Sequence, residues 1–276
     1  MTDESKRVAE HFDAISSVYY DMVDGYPEGL GYYHSREFSA TREWLQETGA
    51  QVILDAGSGP GRHSLLMRAM NRDVVAFDLS RNMLVELRSK ARGEGRAPGA
   101  VNGDLRALPF DSDRFDLAIC MEVIEHLPQH PRDTGMTFAE LGRVVRPGGY
   151  LILEFPLYLH SGLRKLPGST VPFRDMAKPE WYQISRPPLK FQRRFWLSDI
   201  QRRLRRAGFS VMGRRYIRVL PSGFIRKLPA LSKVDTILEE APIVRLLARE
   251  VVILARKRLT IRREVKMRGD TGDDLE

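Results

Sequence analysis

Acids at the ends of apolar runs, and glycines directly after one of them, are the residues in this chain whose spacing suits chemistry. The run from Val52 to Ser64, VILDAGSGPGRHS, ends its apolar stretch at Asp55 and passes through Gly57, Ser58, Gly59 and Gly61 into a helix-forming segment. Glycine lacks a Cβ, so such a loop turns sharply and lets its backbone approach a ligand closely. The helix behind it would aim its first N–H groups at that ligand. The G-x-G-x-G spacing departs from the G-x-G-x-x-G of nicotinamide-dinucleotide loops, which want Gly or Ala where Arg62 stands. That argues against hydride transfer.

Further acids follow at intervals. The run VVAFDLS sets Asp78 at the tip of a second apolar strand, 23 residues after Asp55, near the distance at which an acid meets the ribose hydroxyls of a bound nucleoside. VNGDLRALPF sets Asp104 at the end of a short third strand, and FDLAICM, from Phe115 to Met121, reads as a fourth that opens into EVIEHLP. If a helix starts there, Glu122 and His126 stand four apart on one face with Glu125 adjacent, a cluster able to take a proton from an acceptor. Each acid also has a structural alternative: Asp78 with Ser80 as the cap of the next helix, Asp104 as a turn acid, and the Glu122–His126 cluster as scaffold.

In series, these motifs resemble the class I methyltransferases that use S-adenosylmethionine (SAM), particularly the branch that includes the ubiquinone and menaquinone biosynthetic enzymes. The resemblance is dense from about Phe12 to Pro156 and looser beyond. It implies a Rossmann-like α/β fold: a seven-stranded, mostly parallel sheet ordered 3-2-1-4-5-7-6 with the seventh strand antiparallel. It also implies helices on both faces, an N-terminal helical lid and an insertion after the fifth strand. The resemblance assigns the cofactor to Asp55, Gly57, Ser58, Gly59, Gly61, Asp78, Leu79, Asp104, Leu105 and Met121, with Asp104 on the adenine amino group. His126, Glu125 and Glu122 become the catalytic candidates. Similar E-x-x-E-H segments contribute to divalent metal sites in some O-methyltransferases, and His160 would complete one here. Many members carry the same letters without metal, and none is expected. The activity implied is methyl transfer from SAM to a small or lipid-like acceptor, at oxygen. A nucleic-acid methyltransferase and a SAM-binding regulatory protein without turnover are the alternatives.

Other segments must position these residues. Residues 1–50 read as helices around an aromatic loop, with Tyr19, Tyr20, Tyr26, Tyr32 and Tyr33 gathered in one region; in the resembling family this segment, with its Tyr20-Asp21 pair, covers the site. Strands and helices alternate over 51–156, the pattern of parallel crossovers. RVVRPGGYLILEFP reads as a helix end, a Pro-Gly-Gly turn and a fifth buried strand. Residues 157–195 lack periodicity and carry Pro167, Pro172, Pro179, Pro187 and Pro188, which marks them as a substrate-shaping insertion. Pattern returns over 196–260. Ser198 is a candidate helix cap, Gly208 a helix stop, SVMGRRYIRVL a strand and EVVILARKR the last one. Residues 261–276 form a charged tail, and 1–260 are expected to be one domain.

Charge divides the chain. Residues 1–130 hold 14 Lys and Arg against 21 Asp and Glu, and residues 131–276 hold 30 against 15, within a net charge of +8. Between Lys190 and Arg218 ten basic residues face one acid, Asp199. Such a patch attracts phosphates, nucleic acid or an anionic membrane surface; its alternative is a solvated helix beside a charge-protected edge strand. The single cysteine, Cys120, lies in an apolar strand, so a reducing compartment and a core position are expected. The N-terminus is polar and no apolar run nears the ~20 residues that span a bilayer, which implies a cytoplasmic protein, at most peripheral to the membrane.

Overall fold

The computed structural model describes residues 3–19, 29–92, 97–157, 193–220, 225 and 227–259. Seven strands form one sheet: β1 (Val52–Ala56), β2 (Asp73–Asp78), β3 (Gly99–Asn102), β4 (Phe115–Cys120), β5 (Val145–Pro156), β6 (Phe209–Ile217) and β7 (Glu250–Lys257). Their order is β3-β2-β1-β4-β5-β7-β6, with β7 antiparallel to both neighbours and the pairs from β3 to β5 parallel. Order and direction both match the expectation from sequence.

The strands read as continuous apolar runs because both of their faces are covered. On β1, β4, β5 and β7 alternate residues enter opposite cores: Leu54, Cys120, Leu153 and Ile253 on one side, Ile53, Ile119, Ile152 and Leu254 on the other. The first core is closed by α5 (Arg132–Val144) through Phe138 and Leu141, and by α6 (Leu197–Arg206) through Ile200 and Leu204. The second is closed by α2 (Gly29–Thr48) through Trp44 and Leu45, and by α3 (Arg62–Ala69) through Met67. Helix α4 (Arg81–Lys90) covers β2 through Leu84 and Leu87. Helix α1 (Asp3–Ile15) lies at the N-terminal side, and α7 (Leu231–Glu240) precedes β7. Cys120 is buried in the core, as expected.

Three local expectations are corrected. No α-helix starts at Glu122: the backbone there adopts φ +55°, and only a short 3-10 turn, Ile124–His126, follows. Glu122 and His126 therefore do not stack on a helix face. Two distant contacts impose this. The Glu154 carboxyl on β5 accepts the Glu122 N–H at 2.7 Å, and the Val123 side chain fills the space above Gly57, where a Cβ would come within 2.3 Å of it. Ser198 lies inside α6, whose N-cap is Trp196 without a side-chain cap bond. The basic run is not one surface either. Arg193 and Arg218 are buried, Arg218 paired with Glu250 at 2.9 Å, while Arg214 and Arg215 stand exposed on β6, the sheet's edge. Tyr20, Asp21, Tyr26, Lys190, most of the 157–195 segment and the tail lie outside the described residues.

Helix α5 meets α6 at Gly142, where a Cβ would stand 2.5 Å from the carbonyl oxygen of Ala207. Alanine is the better helix former by about 1 kcal/mol, yet here it must push two helices apart. Gly142→Ala is expected to destabilise the protein by ~1–3 kcal/mol in denaturant unfolding, against the sign that helix propensity alone gives.

Candidate active site

The C-terminal ends of β1, β2 and β4 diverge around a cleft open to solvent, whose space together with its open mouth amounts to about 1080 Å³. Parallel sheets bind ligands at this edge. The glycine loop forms its floor. Gly57, Gly59 and Gly61 all take positive φ (+87°, +52° and +93°), which a side chain would strain. Nothing lies within 4 Å of a Cβ at Gly59, so its open space belongs to the cleft, whereas one at Gly61 would strike Leu87. Gly61 is the N-cap of α3 and does not line the cleft; it lets α3 and α4 pack.

The loop's N–H groups are satisfied within the protein. Gly57 and Ser58 both donate to the Phe77 carbonyl, at 2.7 and 3.0 Å, and Gly61 donates to that of Ser58. Gly59 donates to the Asp78 carboxylate at 2.7 Å. The first turn of α3 serves Asp55, whose carboxylate accepts from both the backbone and the hydroxyl of Ser64, the latter at 2.6 Å. Burial nonetheless pushes Asp55 up to about 7.

Asp78 ends β2 and lines the cleft. Besides Gly59 it accepts the Ser80 N–H at 2.8 Å, and burial pushes it up to about 6. Its neighbour Ser80 does cap α4, accepting from Met83 N at 3.1 Å, so the structural alternative and the placement at the cleft hold together. Asp104 also lines the cleft. Burial, which would raise its pKa, is outweighed by bonds from Arg106, whose Nε and Nη2 meet the two oxygens at 2.9 and 2.5 Å. Leu79, Leu105, Met121 and Ser58 complete that wall.

The catalytic candidates separate. His126 lines the cleft with its ring edge-to-face on Phe12, centroids 5.3 Å apart. Glu122 lines it too, but for its pKa burial is overcome by Arg62, whose Nη2 stands 3.0 Å away, and the carboxyl is held down at about 2. A carboxylate so stabilised is a poor base. Glu125 is corrected: it is buried, absent from the cleft wall, and its carbonyl accepts the Arg193 N–H at 3.0 Å. His160 lies outside the described residues, among which no three His, Cys, Asp or Glu are grouped to hold a metal.

Several cleft residues escaped sequence reasoning. Helix α1 contributes Ser5, Val8 and Phe12, while Tyr19 in the turn after it was expected in the cover, and burial drives its phenol well above its ordinary range. His63, in the first turn of α3, is buried and brought down to about 3, which makes it neutral. Arg106 spans the cleft from Asp104 to Asp133 on α5, at 3.0 Å, and bonds the Ser5 hydroxyl. The i,i+2 spacing of Asp104 and Arg106 was the available signal.

Strand order, the reversed last strand and a cleft at the ends of β1, β2 and β4 define the class I methyltransferase fold. Residues 54–153 match the family model described as Methyltransferase domain. Among curated proteins, the ubiquinone/menaquinone biosynthesis C-methyltransferase UbiE of Dinoroseobacter shibae is 33% identical over 169 residues, 59% of this chain and 64% of that protein. The malonyl-[acyl-carrier protein] O-methyltransferase of Salmonella typhimurium is 40% identical over 121 residues, 43% of this chain and 44% of that one. The chain thus spans less than two thirds of the length of these relatives. Among solved structures, magnesium protoporphyrin IX methyltransferase of Synechocystis, with S-adenosylhomocysteine (SAH) bound, superposes with a TM-score of 0.62 at 18% identity, over 92% of this chain and all of that one. The [4+2]-cyclase SpnF superposes at 0.63 with 16% identity, covering 93% and 97%. At such identities these two bear on fold alone.

Asp55 provides a stability test. Its folded pKa is raised, so the stability it adds is fully present below the unfolded value of 3.8 and is lost as pH rises through about 7. Asp55→Asn should remove that dependence. Between pH 5 and 8 the variant's unfolding free energy is expected to fall by roughly 2–3 kcal/mol less than that of the wild type, measured by denaturant titration at each pH.

Proposed function

We propose that this chain is a SAM-dependent methyltransferase acting on a small or lipid-like acceptor, at oxygen. The observation that carries the reading is the cleft itself, where Asp55, Asp78, Asp104 and the open face of Gly59 meet around one space. The donor set suits an adenosyl cofactor. Asp78 would accept the two ribose hydroxyls, Asp104 the adenine amino group, and Leu79, Leu105 and Met121 would enclose the base. The bound cofactor supplies a methyl group on a cationic sulfur, whose bonding pair stays behind as a neutral thioether forms.

The chain's residues must align an acceptor with that methyl group and keep water away, since displacement is in line and charge vanishes as it proceeds. Phe12, Val8 and Tyr19 supply the apolar cover and Met121 the opposite wall. A hydroxyl acceptor forms its new bond to carbon with an oxygen lone pair and releases its proton, which an imidazole nitrogen of His126 takes. Glu122, fixed by Arg62, orients the acceptor side and holds no proton at neutral pH. We further propose residues 1–50 as the cover, 51–156 as the cofactor core, 157–195 as the acceptor-shaping insertion, and 1–260 as one domain. The relatives transfer to carbon in one case and to oxygen in the other, as their names state, so the atom rests on His126.

Two measurements test this reading. SAH affinity by calorimetry should rise about tenfold from pH 5 to pH 7 as Asp78 ionises through about 6, and Asp78→Asn should flatten the profile and weaken binding ~100-fold. Equal affinity of wild type and variant would remove the cofactor assignment. His126→Ala should lower SAH release with a phenolic lipid acceptor by ~100-fold or more while leaving SAH affinity within ~3-fold. An unchanged rate would point to a carbon acceptor or another base. Chelation with EDTA should leave the wild-type rate unchanged.

A further inference from the structure

Helix α7 packs Leu231 on the second core, yet it also buries its acids and leaves other apolar side chains outside. A surface helix normally buries its apolar stripe and shows its charges to water. Here the acids face inward: Asp235 and Glu239 are 0% and 3% exposed. Asp235 accepts the Leu220 N–H at 2.7 Å, while Glu239 accepts the Arg218 N–H at 3.0 Å and Arg36 Nη2 at 2.8 Å. These bonds fix the helix orientation and leave Val234 and Ile237 outside, Ile237 at 68% exposure. The flanking residues extend the same character. Leu228 before the helix is 60% exposed, and Ile243 and Leu246 after it are 81% and 44% exposed. Scattered surface leucines are ordinary, but five apolar side chains exposed within one short segment, on a helix whose carboxylates point inward, call for an occupant.

The charges around this face name its chemistry. Among the described residues from Lys227 to Leu247, Lys227 and Lys233 are exposed and Arg245 is half-buried over the Tyr216 ring, while Glu240 is the single exposed acid. The other two acids are the buried ones. The face is therefore apolar with a cationic rim, and a second copy related by a two-fold axis would set those cations against each other. Its place also matters. Arg218 follows β6 and pairs with Glu250, which begins the reversed β7, so α7 hangs from the sheet edge at which the cleft opens. No described helix is long and apolar enough to cross a membrane.

We propose that the outer face of α7 and the turn after it, from Leu228 to Leu246, seat on the surface of an anionic phospholipid bilayer. Leu228, Val234, Ile237, Ile243 and Leu246 enter the boundary between headgroups and acyl chains, and Lys227, Lys233 and Arg245 meet the phosphates. The surface is distinct from the mixed run between Lys190 and Arg218, part of which is buried. The helix and the cleft share one end of the sheet, and on the proposed function a docked α7 would deepen the reading of a lipid-like acceptor, although the physics of the contact does not depend on turnover.

Sedimentation of the full chain with vesicles tests it. Binding to phosphatidylcholine vesicles containing phosphatidylglycerol should be ~10-fold or more tighter than to phosphatidylcholine alone and should weaken with salt. Ile237→Asp with Ile243→Asp should lower partitioning by ~100-fold; both side chains are exposed, so SAH affinity should stay at the wild-type value and serves as the check of folding. Lys233→Glu should reduce the preference for anionic vesicles and leave weak binding to neutral ones as it was. The proposal is overturned if the wild type ignores anionic vesicles or if the double variant binds them equally well. It is equally overturned if ultracentrifugation shows a dimer that the double variant splits while vesicle binding is absent. A wild type that binds vesicles but not SAH would sink the methyltransferase reading and leave this one standing.

Discussion

The carboxylate of Asp78 joins three separate pieces of chain at the mouth of the sheet. It ends β2, takes the N–H of Gly59 from the glycine loop and takes the N–H of Ser80 at the start of α4. Ser80 in turn caps α4 and donates to Asp13 on α1. One buried acid thus sets the spacing between loop, strand and helix before any ligand arrives. The cost is visible in its raised pKa: the fold removes water from a group that prefers to be charged there and returns two backbone donors. The remaining lone pairs face the cleft, so the architecture and the proposed recognition use the same carboxylate.

A second arrangement of charge lies behind β4 and β5. Glu154 is fully buried, and desolvation together with Glu125, Glu250, Glu122 and Glu37 pushes it well up. Glu122, only one hydrogen bond away, is driven the other way by Arg62. Like charges this close cannot all ionise in a medium of low dielectric constant, and the environment decides which does. The Glu154 carboxyl accepts the Glu122 N–H. That bond holds the φ +55° backbone that aims Glu122 at Arg62.

Legibility in the sequence followed the range of the forces. The strands came through because those covered on both faces must be apolar throughout, and the glycine loop because Gly57, Gly59 and Gly61 sit where positive φ is needed; their order came only with the resemblance that these motifs carry. Asp78 and Asp104 fell at the cleft because a strand tip is a local property. The Glu122–His126 stretch did not read correctly: its letters suit a helix, and a carboxyl 32 residues away, with Val123 wedged over Gly57, forbids one. Glu125, on the same turn, is buried away from the cleft wall for the same reason. The apolar face of α7 was hidden because its acids are recruited by backbone donors after β6, and nothing in the periodicity of residues 231–240 says which side will be inward.

The cover over the cleft is held by a different balance from the core. Among the described residues of α1 only Ser5 is buried, so the helix owes its position to few contacts: Asp13 on Ser80 and the Asn82 N–H, Ser5 on Arg106, Phe12 against His126. Exposed or half-exposed polar bonds contribute about 1 kcal/mol each at most, far less than the apolar burial that fixes α2 or α5. On the proposed function such a weakly held segment would open and close at little expense, which a transferase needs if two reactants must enter and two products leave through one mouth. Arg106 makes the coupling specific. By gripping Asp104 and Asp133 while reaching Ser5, it ties the cover to the same wall that would hold the adenine ring, so occupancy of that wall and closure of α1 act through one side chain.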